Sequence, residues 1–589
     1  MGRIGVFLCQ CSLSPLQPVA GQQLRDVVAH YPGVVHAENC PDLCLSPGLE
    51  AVRNALPQYQ LDGVVLASCS PALHLPAVGQ AMVSAGLDSH QARLVELRPS
   101  GIWDPVTGGE ASADEAARAI GDAVDDLREG RFGAAEAVPI KKKALVIGGG
   151  VAGIQAALDI ADGGYQVVLV EKSPSIGGHM IQYAQVFPTL DCPQCILTPK
   201  MVEVGQHPNI TLLTYAEVQR VSGTIGNFEV EIVQKARKVD HTVCNGCGTC
   251  WQKCPEKVPS EFDVGIGEQK AIYIPFAQAV PAKPVIDTRH CRYIKYLRFM
   301  ESGVEGKKPP QCRICERLCP VGAIDWNEEA QTIIEEVGAI IVATGFELMP
   351  GTRLPEYAED PDVIDGIQFE RMLSAGGPTN GTVQRLSDGK IPKEVVFVSC
   401  AGSRDPEHGV PYCSRVCCMY LAKQAMLYKH AVPDGQAHVF YIDTRTTGKG
   451  YEEFLQRAVE EGALYLRGKV SRLFRDGDKL RVLGVDTLSG RQVEVACDLV
   501  VLGMATLPSP GAKDLAAKLG IATDEHGFVS ESHAKLNPLE TTRPGIYVAG
   551  MAQGPKDIPD AVAQGSGAAS KVLGLFSRSE VIAEGPVVG

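Results

Sequence analysis

The chain has 589 residues, of which 45% are hydrophobic and 21% charged, with a net charge of −14 and 20 cysteines. That length calls for three or four domains. The acidic balance argues against nucleic acid or an anionic membrane surface as partner, and no apolar run reaches the ~20 residues of a membrane helix. Cysteines in this number, behind an apolar N-terminal run too short for a signal sequence, point to metal ligation in a reducing, cytoplasmic setting and not to disulfides.

Residues 1–135 read as a small α/β domain. Ile4-Gly-Val-Phe-Leu and Gly63-Val-Val-Leu-Ala are β-rich runs that end at cysteine-bearing loops. Sites in parallel sheets gather at the carboxyl ends of strands. Cys9, Cys11, Cys44 and Cys69 are therefore expected to share one [4Fe–4S] cluster, with Cys40 a spare or alternative; buried thiols are the competing reading. Residues 109–135, charged and alanine-rich, read as a helix and linker.

Residues 136–236 carry Lys143-Ala-Leu-Val-Ile-Gly148-Gly-Gly150-Val-Ala-Gly153, a helical run and Tyr165-Gln-Val-Val-Leu-Val-Glu171-Lys172. Strand, Gly-x-Gly-x-x-Gly turn, helix, strand and terminal acid form a dinucleotide fingerprint. The glycines admit a pyrophosphate to the helix N-terminus, and Glu171 can bind ribose hydroxyls while repelling a 2′-phosphate. Gly177, Gly178 and His179 follow. Cys192-Pro-Gln-Cys195 is either a dithiol/disulfide pair, half of a metal site, or structural.

Residues 237–336 read as an inserted two-cluster ferredoxin domain. Cys244-x2-Cys247-x2-Cys250-x3-Cys254-Pro is the bacterial ferredoxin run, and Cys312-x2-Cys315-x3-Cys319-Pro with Cys291 supplies the second half. Since the fourth thiol of such a run serves the other cluster, Cys244, Cys247, Cys250 and Cys319 are expected on one cubane. Cys291, Cys312, Cys315 and Cys254 are expected on the other. Zinc knuckles, built from C-x2-C pairs, leave the third evenly spaced thiol unexplained.

Residues 337–390 and 511–589 are read as the remaining parts of the first nucleotide domain. Ala339-Ile-Ile-Val-Ala-Thr344-Gly345 and Gly545-Ile-Tyr-Val-Ala-Gly550 resemble the segments with which two-dinucleotide-binding-domain flavoproteins complete an FAD site. Ile558 and Pro559 open a helix facing the flavin. That family usually has Asp after the last glycine, where Met551 stands here. Residues 391–510 occupy the place of its nicotinamide-binding domain, but Lys393-Glu-Val-Val-Phe-Val-Ser-Cys400 runs into Ala-Gly-Ser-Arg404 without the glycine turn. With Cys413, Cys417 and Cys418 this reads as a degenerate nucleotide domain rebuilt around a cluster; a redox-active or buried thiol group is the other reading. The fold class is thus an α/β, thioredoxin-reductase-like flavoprotein with an inserted ferredoxin domain and a small N-terminal α/β domain.

Over nearly its whole length the sequence resembles HdrA, the flavin- and iron–sulfur-bearing member of CoB–CoM heterodisulfide reductase. The resemblance rests on Cys9-x-Cys11, Cys69-Ser-Pro, Gly-Gly-His179-Met, Pro-Thr-Leu-Asp-Cys192-x-x-Cys-Ile-Leu-Thr-Pro-Lys, Pro-Tyr-Cys413-Ser-Arg-Val-Cys-Cys418-Met-Tyr, Gly448-Lys-Gly-Tyr-Glu-Glu-Phe and Ala552-Gln-Gly-Pro-Lys-Asp-Ile-Pro. It implies FAD, several [4Fe–4S] clusters and an unusual cluster on Cys400, Cys413, Cys417 and Cys418 beside the flavin. It also implies partner subunits of the B and C type that hold the disulfide-reducing site, a hydrogenase or dehydrogenase donor, ferredoxin as a further partner, a hetero-oligomer or dimer of complexes, and flavin-based electron bifurcation. The methanogen form carries a further two-cluster ferredoxin domain beyond the point matching Gly589, so one electron exit is expected to be missing here.

The expected function is therefore electron transfer between a dehydrogenase or hydrogenase and a disulfide-reducing partner. The flavin is the redox centre, with Lys556 a candidate for tuning it. The alternatives are an NAD(P)H-dependent oxidoreductase of the glutamate-synthase small-subunit type, a non-catalytic electron-transfer scaffold and a zinc-binding assembly protein.

Overall fold

The computed structural model describes residues 2–9, 18–40, 43, 46–68, 91–96, 113–129, 136–303, 306–354, 357 and 359–583. Two compact units form. One holds Met1–Pro139, Glu531–Glu540 and Ser579–Gly589; the other holds Ile140–Ser530 and Thr541–Arg578.

The first unit contains β1 (Ile4–Cys9), α1 (Pro18–Val28), β2 (Val34–Cys40), α2 (Ser46–Gln58), β3 (Gly63–Ser68), β4 (Ala92–Glu96) and α3 (Ala113–Glu129). The strands form a parallel sheet in the order β2-β1-β3-β4. Every described residue of β1 and β3 is buried, as expected of strands covered on both faces. In α3, Ala116, Ala117, Ile120, Ala123, Val124 and Leu127 repeat at three and four residues and turn one apolar stripe onto this sheet.

The second unit begins with β5 (Lys143–Ile147), α4 (Val151–Asp162), β6 (Gln166–Glu171), α5 (Pro193–Gln206) and β7 (Ile210–Thr214), then β8 (Ala216–Thr224) and β9 (Asn227–Gln234). After a long excursion follow β10 (Gln331–Val337), β11 (Ala339–Val342), β12 (Val363–Asp365), α6 (Gly366–Leu373), β13 (Glu394–Ala401) and α7 (Cys417–Ala431). Then come β14 (Gln436–Tyr441), α8 (Tyr451–Glu460), β15 (Leu464–Arg467), β16 (Leu499–Met504), β17 (Ile546–Val548) and α9 (Ile558–Phe576). Within this unit one parallel sheet runs β17-β11-β5-β6-β7 and a second runs β12-β16-β13-β14-β15.

The excursion is an insertion in the strict sense. β9 and β10 pair antiparallel from Phe228↔Val337 to Gln234↔Gln331, so residues 235–330 leave and re-enter the same small sheet. Between those points lie two two-stranded sheets, short helices at Thr249–Lys253 and Ile314–Arg317, and a longer one at Arg292–Ser302.

Candidate functional site

Register brings three separated glycines to one sheet edge. Val342 of β11 lies opposite Ile147 of β5 and Val548 of β17, so the residues leaving these strands, Gly148, Ala343-Thr344-Gly345 and Ala549-Gly550, emerge side by side. Gly148 has φ +111°, and a Cβ there would stand 2.3 Å from Ala343 O; one on Gly153 would stand 1.9 Å from Gly148 O. Only glycine permits that turn and that close helix–strand approach. At Gly150 an added Cβ meets nothing within 4 Å, and Gly150 caps α4 with no side-chain bond. The first-turn N–H groups of α4 thus border open space suited to a pyrophosphate. Gly345, with φ +72°, likewise faces open space.

The neighbouring residues complete this cradle. Glu171 is buried, its Oε2 accepting from Gly149 N at 2.7 Å and its Oε1 from Ser173 N at 2.8 Å; Lys172 is exposed. Gly177 is buried, and a Cβ on Gly178 would come within 3.0 Å of the Gly150 Cα. The ring nitrogens of His179 meet Gln182 Oε1 and the Phe346 carbonyl, fixing the ring beside the strand that follows Gly345. Gly550 and Met551 form a short 3-10 turn, and Gly565 of α9 packs so closely on α4 that a Cβ would lie 2.5 Å from Ala152 O. That contact sets Ile558 and Pro559, the first residues of α9, at the same edge. Lys556 is buried, and its Nζ donates to Gly550 O (2.8 Å) and Gly554 O (3.1 Å). These residues fit an FAD.

In the insertion, eight thiols divide between two cavities. Cys244, Cys247, Cys250 and Cys319 line one; Cys254, Cys291, Cys312 and Cys315 line the other. Cys254 and Cys319 each leave the loop of their sequence neighbours to join the opposite set. A shared apolar cluster of Val239, Ile272, Ile286, Ile294 and Ala323 backs both. Burial raises the Cys250 thiol to about 11 and the Cys315 thiol to about 12, the latter with help from Cys291; Cys291 is raised by burial as well. The Thr249 hydroxyl, 3.5 Å from Cys247 Sγ, lowers that thiol. A thiol raised by burial becomes a good ligand once a cation replaces its proton. Among the described residues no three His, Cys, Asp or Glu side chains meet where one metal ion would sit; these thiols ring cavities instead.

A third group lies at the carboxyl end of β13. Cys400, Cys417 and Cys418 are buried, and Cys417 bonds both others: its proton is held far above the usual range, while Cys418 falls to about 7 and Cys400 is also lowered. Cys400, Arg404 and Arg415 all have φ near +60°, a left-handed conformation costing about 1–2 kcal/mol per non-glycine residue. It is held by the Ser403 Oγ–Ser414 Oγ bond (2.7 Å, both fully buried) and by Arg404 N to Tyr412 O (2.9 Å). Burial opposes the charge of Arg404, but its 2.7 Å bond to Asp443 and the nearness of Cys400 and Cys413 outweigh this and hold it protonated. Arg415 ties this region to the start of α9 through Asp560 (2.5 Å), and α8 is tied there by Tyr451 Oη donating to Asp557 Oδ2 (2.7 Å).

In the first unit, Cys9 and Cys40 are register partners at the carboxyl ends of β1 and β2, and both are buried. Burial first, then Glu38 and Cys9, raises the Cys40 thiol to about 12. Cys11, Cys44 and Cys69 lie outside the described residues.

Residues 144–239 match the family model described as FAD dependent oxidoreductase. The chain is 43% identical over 590 residues to the A-type subunit of the H(2):CoB-CoM heterodisulfide,ferredoxin reductase of Methanothermobacter marburgensis, covering 100% of this chain and 87% of that one. The chain belongs to the HdrA family of heterodisulfide reductase subunits. A second member, the iron-sulfur A-type subunit of the CoB--CoM heterodisulfide reductase of Methanocaldococcus jannaschii, is 43% identical over 575 residues, covering 97% of this chain and 85% of that one. Among solved structures, T. acidophilum thioredoxin reductase aligns at 14% identity with a TM-score of 0.40, covering 74% of this chain and 99% of that one. Like its family, the chain is an FAD-dependent oxidoreductase, and among the described residues no helix is long and apolar enough to cross a membrane.

Sequence reasoning passed over Arg404, Asp443, Arg415 and Tyr451, although all stand in or near the cysteine and Gly448-Lys-Gly-Tyr motifs. Strand register sets Cys40, the spare or alternative of the sequence reading, directly beside Cys9.

Proposed function

We propose that this chain is the FAD- and [4Fe–4S]-bearing electron-transfer subunit of a heterodisulfide-reductase-like complex. It passes electrons between a hydrogenase or dehydrogenase and disulfide-reducing subunits of the B and C type, by flavin-based bifurcation with ferredoxin as second acceptor. The complex is a cytoplasmic hetero-oligomer. The observation that carries this reading is the convergence of Gly148, Gly345 and Gly550 at one sheet edge, with the Cys400–Cys418 segment bonded to the helix that begins there.

Two cubanes are assigned to the insertion, on Cys244, Cys247, Cys250 and Cys319 and on Cys254, Cys291, Cys312 and Cys315. A third is assigned to Cys400, Cys413, Cys417 and Cys418, and a fourth to Cys9, Cys11, Cys44 and Cys69 with Cys40 as alternative. Flavin exchanges electrons in pairs or singly and each cubane carries one, so together they convert between the two. The residues of this chain bind and orient. The α4 N-terminus would hold the pyrophosphate and Glu171 would accept from the ribose hydroxyls, while Lys556 fixes the Gly550–Gly554 loop that stands where the family of two-domain flavoproteins has its ribityl contact. The buried thiols would hold iron as thiolates, their protons passing to solvent. Relatives named for H(2), ferredoxin and CoB-CoM heterodisulfide support the partner classes.

An NAD(P)H-dependent reading lacks its phosphate site. β13 ends at Ala401 and the next helix begins only at Cys417, so no short glycine turn delivers a helix N-terminus to a pyrophosphate there. Anaerobic purification of the native assembly tests the proposal. Disulfide-reducing subunits and a hydrogenase or dehydrogenase should co-purify, and the flavin should be reduced by that donor and stay oxidised with NADH alone. Rapid bleaching by NADH would overturn it.

A further inference from the structure

Cys192 and Cys195 are not among the thiols of the proposed clusters and are joined as a disulfide. Cys192 is the N-cap of α5, Pro193 occupies the first helical position, and Cys195 N donates to Cys192 Sγ at 3.2 Å. Among the described residues no third His, Cys, Asp or Glu joins the pair to form a metal site. The two residues are unequally placed: Cys195 is exposed and Cys192 only partly so.

We infer that Cys192 and Cys195 are a thiol–disulfide exchange site that takes an electron pair from a dithiol. An incoming thiolate reaches the exposed Cys195 Sγ and forms a mixed disulfide as the Cys192–Cys195 bond breaks. Cys192 leaves as a thiolate, stabilised by the Cys195 N–H and by the partial positive charge of the α5 N-terminus. The second thiol of the donor then attacks its own sulfur in the mixed disulfide and releases Cys195. The donor becomes a disulfide, and the pair gains two electrons and two protons.

The site has a firm base. The preceding loop closes through Val186 N to Asp191 O (3.0 Å) and Leu190 N to Val186 O (2.8 Å), and Phe187 and Leu190 pack on the apolar cluster of α7 and α8. Beside the reactive sulfur, Ile196 is 42% exposed, and Val202 further along α5 is 39% exposed.

The test uses the purified holoprotein under anaerobic conditions. It is equilibrated with graded ratios of reduced to oxidised dithiothreitol, acid-quenched, alkylated and mapped by mass spectrometry at residues 192 and 195. Both thiols should appear together in one two-electron step. With oxidised glutathione in place of dithiothreitol, Cys192→Ser should accumulate a mixed disulfide on Cys195 at least tenfold above the level on Cys192 in Cys195→Ser. If either variant fails to fold, the wild-type titration decides alone. Thioredoxin reducing the pair at least tenfold faster than equimolar dithiothreitol identifies a protein donor; equal rates identify a small dithiol. A pair that resists hundredfold excess of both, reduction of one thiol without the other, or iron or zinc held by the two thiols would overturn the inference.

Discussion

Tyr451 and Asp557 meet through a buried 2.7 Å hydrogen bond, although 106 residues separate them. Asp557 is the N-cap of α9, its Oδ1 accepting from Asp560 N at 2.9 Å while Oδ2 accepts from Tyr451. One carboxyl group therefore fixes the start of the helix that faces the flavin site and anchors it to α8. Tyr451→Phe keeps the ring packed against Phe187 but leaves a buried oxygen unpaired. A loss of about 1–3 kcal/mol in chemical denaturation is expected, with a lower flavin-to-protein ratio after gel filtration. An unchanged flavin content would separate this bond from flavin binding.

Lys423 and Glu370 pair at 2.7 Å with both side chains 3% exposed. Lys423 also donates to Gln185 O, and Glu370 accepts from Ala184 N and Gln424 Nε2. The network clamps the loop leading to Cys192 between α6 and α7. Removing one partner strands the other without water, so Lys423→Met should cost about 3–5 kcal/mol. The double variant Lys423→Met with Glu370→Leu should recover much of that loss, because no charge is then left buried alone. Equal losses in the single and double variants would mean that the packing and not the pair matters.

What could be read from the sequence was local. The Gly148–Gly153 turn and Glu171 lie within one βαβ unit, and C-x2-C-x2-C spacing by itself brings Cys244, Cys247 and Cys250 onto one loop. Contacts made by tertiary packing leave no such trace. Arg415 and Asp560 look like any exposed charges until α7 and α9 are in place, and nothing in the sequence shows that Lys556 donates into the Gly550–Gly554 loop. Cys40 becomes the neighbour of Cys9 only through the parallel register of β1 and β2. Spacing also cannot tell a C-x-x-C disulfide from half a metal site; only the folded chain brings the Cys192 and Cys195 sulfurs together.

The division of the insertion thiols gives a crossed pattern of losses. Cys319→Ser and Cys250→Ser should each remove about four irons and abolish the same electron paramagnetic resonance signal, though the two positions are 69 residues apart. Cys254→Ser, only four residues from Cys250, should instead abolish the signal lost in Cys291→Ser. If Cys250→Ser and Cys254→Ser removed one and the same signal, the crossing would be wrong.

Acid sensitivity of the insertion should pass through His241. Its Nε2 lies 3.0 Å from the Pro284 carbonyl, which can only accept, so the neutral ring donates there. Burial lowers its pKa from 6.5 to about 4, outweighing the favourable bond to Pro284. Between those values the unfolded chain binds a proton that the folded insertion does not, so stability present above pH 6.5 is lost as pH falls towards 4. His241→Gln retains a donor and removes the titration. Cluster absorbance followed against denaturant at pH 7.5, 6 and 5 should weaken steadily in the wild type and less steeply in the variant. Parallel pH profiles for the two proteins would assign the acid loss to other groups.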